Sequence, residues 1–65
     1  MSLPFKPGDI VEAKVQIFSF SGDICAGTQG IVRRVSPSSA EIDFEIAPDR
    51  YKQVQVEFDE IYKLG

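Results

Sequence analysis

The sequence predicts an all-β fold, a small barrel of five antiparallel strands. Three observations predict it. Apolar residues recur at every second position rather than at helical spacing. Turn residues interrupt the chain so often that no stretch supports a helix of ten residues. Finally, 65 residues bury only about 60% of the surface exposed by the unfolded chain. A flat five-stranded sheet would leave one face and two edges open, so closure is the economical solution.

Residues 1–6 read as an N-terminal tail and residues 7–65 as a single domain. Pro7-Gly8-Asp9 is a turn that launches the first strand. From Asp9 to Phe18, Val11, Ala13, Val15 and Ile17 fall on one side, with Glu12, Lys14 and Gln16 on the other. That is one long half-buried strand. The longest loop, Ser19 to Gln29, follows. The second strand, Gly30 to Val35, is rich in β-branched residues and is entered through Gly27 and Gly30. One glycine permits a positive φ at the loop exit, and the other permits close backbone packing where the barrel bends.

Ser36-Pro37-Ser38-Ser39 is a tight hairpin connection. In the third strand Ala40, Ile42, Phe44 and Ile46 alternate with Glu41, Asp43 and Glu45. Ala47-Pro48-Asp49-Arg50 is the next loop. In the fourth strand Val54, Val56 and Phe58 alternate with Gln53, Gln55 and Glu57. Asp59-Glu60 is a single helical turn, and Ile61 to Leu64 adds an edge strand. The expected core is Val11, Ala13, Val15, Ile17, Val32, Ile42, Phe44, Val54, Val56, Phe58 and Ile61. A three-residue loop at Ser36–Ser39 would set Val32 against Ile42 and Arg33 against Glu41, apolar on apolar inside and opposite charges outside. The alternative architecture, an oligonucleotide-binding-type barrel, needs more chain and a helix between strands.

Composition narrows the function. The chain has no His, which removes the commonest general base and metal ligand together. One cysteine excludes an internal disulfide framework. No window of 18 apolar residues exists to span a membrane. No charged stretch followed by an apolar one marks a secretory signal. These features suggest a soluble, cytoplasmic module. Ten acids against seven bases give a net charge of −3, with a pI near 4.7. Such a field repels polyanions, which makes nucleic acid a poor partner.

Several groups invite a chemical reading. Cys25 lies on the long loop beside Asp23 and is either a redox thiol or a small packed hydrophobe. Glu41, Asp43 and Glu45 share one outer face and read as a solvated surface that blocks edge pairing. Arg33-Arg34 is the tandem basic pair. Neighbouring strand residues point to opposite faces, so both can meet solvent only at a bulge, an edge or a barrel end. Arg34 runs along the rim, snorkels over apolar surface, or meets a partner carboxylate. Phe18 and Phe20 flank the start of the long loop, where they either grip a partner or cap an open barrel end. Tyr51 and Tyr62 suit an interface or a core rim. Without Trp, a proline-peptide groove is poorly supported.

Gly27-Thr28-Gln29-Gly30-Ile31-Val32 enters a strand after a long loop. The alternating strand Glu41–Glu45 and the closing segment Phe58-Asp-Glu-Ile-Tyr-Lys-Leu64 follow it. From about Lys6 to Leu64, this order resembles the SH3-like barrels of photosynthetic and redox complexes. The variable chain of ferredoxin–thioredoxin reductase is nearest in pattern. Its relatives include a ferredoxin-docking subunit of a photosynthetic complex and the small stromal subunit IV of photosystem I. The resemblance implies a non-catalytic accessory subunit without a cofactor. Such a subunit steadies a larger redox partner and helps dock ferredoxin. Ferredoxins are acidic, and on this acidic chain only Arg33, Arg34, Arg50 and Lys52 offer a local basic face. The partner-binding residues expected on both grounds are Phe18, Phe20, Arg33, Arg34, Tyr51 and Lys52. A KOW-like RNA or ribosome-binding module and a self-associating structural protein, such as a homodimer, remain the alternatives.

Overall fold

The computed structural model describes residues 3–19 and 22–64. Its strands are β1 (Ile10–Ala13), β2 (Gln29–Val35), β3 (Ser39–Ala47), β4 (Arg50–Glu57) and β5 (Ile61–Lys63), with a 3-10 turn at Phe58–Glu60 before β5. All pair antiparallel in one sheet of order β4-β3-β2-β1-β5. The expected hydrogen-bonded closure is not made among the described residues, because β4 and β5 remain the two edges. Other segments cover the buried face. Phe5 joins the core and sets its ring 5.6 Å from that of Phe58, and Ile17 and Ile24 enter from the long loop.

The first strand is shorter than its alternation suggests. After Ala13 the chain bends at residues 14–15, where the Lys14 amide donates to the Glu60 carbonyl at 2.8 Å. Val15, expected in the core, is turned outward and is 48% exposed. Ile17 returns to the core in an isolated bridge with Ile24, closed by two backbone hydrogen bonds of 2.8 and 2.7 Å. Residues 14–19 and 22–28 are therefore the two limbs of an arm, held together by the Ile17–Ile24 bridge. Gly27 leaves it with φ of 91°, the left-handed conformation that glycine adopts without steric cost.

The β2–β3 hairpin differs from the expected register in one instructive way. Val32 does face Ile42, but Arg34, not Arg33, faces Glu41. Arg33 is the extra residue of a bulge. The loop is shorter than expected, since the Ser36 amide donates to the Ser39 carbonyl at 2.8 Å across Pro37-Ser38. Without the bulge Arg34 would pair with Ala40, a buried core position. Burying an unpaired guanidinium costs several kcal/mol. The bulge turns Arg34 outward and returns Val35 to the edge of the core.

A second bulge lies in β3, where Glu45 faces Tyr51 and Ala47 faces Arg50, leaving Ile46 unpaired and 46% exposed. The turn between β3 and β4 holds Asp49 at φ of 61°, a conformation Asp tolerates better than most residues. On β2, Gly30 has no room for a side chain: a Cβ there would lie 2.7 Å from Ile42 Cγ2 and 2.8 Å from the Asp43 carbonyl oxygen.

Candidate functional site

Because side chains alternate and the bulges each skip one residue, the outer face of the sheet carries a mixed row. Arg34 stands level with Glu41 at one end and Tyr51 level with Glu45 at the other, while Ile10, Ile31 and Asp43 share the level between them, next to Arg33. Arg33 Nε donates to Asp43 Oδ2 at 2.7 Å, an exposed ion pair. Glu41 accepts from Gln53 Nε2 at 2.9 Å. Arg34, though level with Glu41, makes no ion pair or side-chain hydrogen bond among the described residues. The three carboxylates of β3 thus act separately: Asp43 holds Arg33, Glu41 holds Gln53, and Glu45 holds no described partner.

The structure divides the sequence-derived set. Arg33, Arg34 and Tyr51 share the outer face: Arg34 is level with Glu41, Arg33 bonds to Asp43, and Tyr51 is level with Glu45. Lys52, next to Tyr51 in sequence, points the other way, opposite the buried Phe44. Its ammonium reaches the arm, so close to Gly22 that a Cβ there would lie 2.5 Å from Nζ. Phe18 also belongs to the arm, following Ile17, and is 75% exposed. Phe20 lies outside the described residues. Cys25 is exposed, which removes the reading of a packed hydrophobe.

Between the outward side chains of β1 to β4 lies a shallow groove of about 160 Å³, lined by Ile10, Gln29, Gly30, Ile31, Glu45 and Tyr51. A second depression of about 270 Å³ is lined by Glu45, Ile46, Ala47 and Pro48. Small-molecule pockets begin near 300 Å³, so either depression suits a single side chain better than a metabolite. Near the groove, Tyr62 donates its hydroxyl hydrogen bond to Glu12, across the β1–β5 pair. That bond, with some burial and the Glu12 charge, raises the Tyr62 pKa above the ordinary phenol value.

Sequence reasoning missed Ile10, Ile31 and Glu45 as one surface. The signal was present in the doublets Ile10-Val11 and Ile31-Val32, where apolar residues occupy both faces of a strand at once. Paired across β1 and β2, Ile10 and Ile31 meet on the side that carries no core. Among the described residues, no helix is long and apolar enough to cross a membrane. Compared with protein-family models, with curated proteins and with solved structures, the chain finds no match.

Proposed function

We propose that this chain is a non-catalytic protein-binding module of the SH3-like type, an accessory subunit that steadies or docks a larger redox complex in ferredoxin-linked electron transfer. The strand order, the long arm after β1 and the 3-10 turn between β4 and β5 are in keeping with such a barrel. The observation that carries the binding reading is Phe18, 75% exposed on an arm that Ile17 and Ile24 pin to the core. An exposed Phe forgoes about 1.5–3 kcal/mol of burial, and a ring held on an anchored arm is well placed to regain it against a partner. The redox part rests on the resemblance of the Gly27–Val32 and Phe58–Leu64 segments.

The test is affinity capture from extracts of a photosynthetic source, with the wild-type chain and Phe18→Asp as baits. The expected result is enrichment of a ferredoxin-linked enzyme by the wild type, reduced about tenfold by the substitution. Enrichment of no redox enzyme, or capture indifferent to Phe18, overturns the proposal. One observation favours self-association as a second reading. The eight-residue strand β4 is a sheet edge, and such edges template pairing with another chain. Sedimentation of the purified chain as a concentration-independent monomer removes that reading.

A further inference from the structure

We propose that the Tyr51–Glu45 groove is the seat of an arginine side chain of the partner, a surface separate from the Phe18 arm. The inference rests on the protein-binding reading above and names the chemistry of its second contact. Ile10 and Ile31, paired across β1 and β2, give the groove an apolar floor, and Gly30 contributes backbone without a side chain. Tyr51 stands opposite Glu45 across β3 and β4, so a ring and a carboxylate rise from the same level of the sheet. Tyr51 is 55% exposed, and Glu45 makes no hydrogen bond or ion pair among the described residues.

Charge complementarity selects the occupant. Glu45 lines the groove and no cation does. The nearest basic residues in sequence are committed elsewhere or turned aside: Lys52 reaches Gly22 on the arm, and Arg50 lies beyond Tyr51, level with Ala47. Of the arginines of β2, Arg33 is bound to Asp43, the residue opposite Ile31, and Arg34 stands farther off, opposite Glu41. An incoming cation therefore meets an uncompensated carboxylate, while an acidic partner surface meets repulsion. Arginine fits this frame better than lysine. Its stem covers apolar surface, its planar guanidinium stacks on an aromatic ring, and its fork binds a carboxylate through two hydrogen bonds. The groove volume, about 160 Å³, suits one such side chain.

The experiment is an amide-resolved NMR titration of the isotopically labelled chain with N-acetyl-arginine amide, and with the neutral isostere N-acetyl-citrulline amide. With the arginine probe, saturable shifts are expected to centre on Ile10, Gln29 to Ile31, Glu45 and Tyr51. Citrulline, or the Glu45→Gln variant, is expected to weaken binding about tenfold. Tyr51→Phe keeps the affinity and Tyr51→Leu loses about threefold, the mark of a ring–cation contact. Unshifted dispersion of the spectra shows that each variant is folded. Shifts scattered over all acidic positions, or equal binding of citrulline, overturn the assignment. No protein partner enters this measurement, so its failure removes the arginine seat and leaves the Phe18-dependent capture standing. Loss of that capture leaves the titration intact.

Discussion

On the inner face of the sheet Val11, Ile42 and Phe44 are shut off from solvent, while on the outer face Ile10, Tyr51 and Tyr62 keep 42%, 55% and 39% of their surface exposed. On β1 the two sets lie one residue apart, Ile10 outside and Val11 inside. The bulge at Arg33 favours the inner face, because it keeps a guanidinium away from Ala40. The one at Ile46 shifts the strand between Glu45 and Ala47 and leaves Ile46 exposed. The inner face therefore dictates register, and the outer face receives what the register leaves. Its mixed character follows: an arginine end, and an acidic and aromatic end that holds the shallow grooves.

The contrast is tested most strongly by deleting one ring from each side. Phe44→Ala empties a fully buried site, and such changes cost about 3–5 kcal/mol. A domain of this size commands about 3–10 kcal/mol in all. The variant is expected to be largely unfolded at 25 °C by circular dichroism. Tyr51→Ala, on the outer face, is expected to stay within about 1 kcal/mol of wild type in denaturant titration. Equal losses for the two would erase the distinction between the faces.

A smaller effect is expected at the turn that follows the second bulge. Asp49 holds a left-handed φ, which a β-branched residue adopts only with strain. Asp49→Val is expected to cost about 1–2 kcal/mol, whereas Asp49→Gly is not. A denaturant midpoint that fails to separate the two variants would mean the turn is not held in that conformation.

The first bulge makes a sharper claim with a smaller energy. Deleting Arg33 leaves Val32, Arg34 and Val35 facing Ile42, Glu41 and Ala40 in an uninterrupted ladder, with every residue on its present face. Only the exposed ion pair with Asp43 is lost, and such pairs contribute about 0–1 kcal/mol. The deletion is expected to fold, with a melting temperature within a few degrees of wild type. Collapse of the fold would show that the bulge supports the sheet itself rather than correcting its phase.

Much of this was legible in the chain because alternation of period two is a direct trace of a sheet with one dry side. The phases of Ala40 to Phe44 and of Val54 to Val56, the Phe58–Glu60 turn and the roles of Gly27 and Gly30 all follow from local chemistry. Arg33-Arg34 left a bulge, an edge or a barrel end open, since two adjacent arginines cannot both leave a regular strand on the same side, and the structure has the bulge in place of the unbulged register expected. Three features did not follow. Val15 keeps the period yet is turned out by a bend whose cause, the Lys14 amide on Glu60, lies 46 residues away in sequence. Ile24 is buried from within a loop by its bridge to Ile17, and Phe5 by packing on Phe58. Each depends on a contact distant in sequence. The groove was hidden for a related reason: Ile10, Ile31, Glu45 and Tyr51 come from four strands and share a surface only once all registers are set.

The smallest effect concerns the hydrogen bond at the outer-face edge. Tyr62 donates to Glu12, and this raises its pKa above the value near 10 of a free phenol. An acid whose pKa is raised by folding is held in its neutral form by the fold. The stability linked to this bond is therefore complete below the unfolded pKa and is lost as pH rises through the folded one. Ultraviolet titration of the phenolate is expected to show Tyr62 ionising above the ordinary range, and Glu12→Gln is expected to bring it back toward 10. Both residues belong to the outer face, where a broken contact is answered by water, so the same substitution should leave the melting temperature at neutral pH almost unmoved. A Tyr62 titration indifferent to Glu12, or a large loss of stability at pH 7, would show this pair to be either unformed or more deeply bound into the sheet than its exposure indicates.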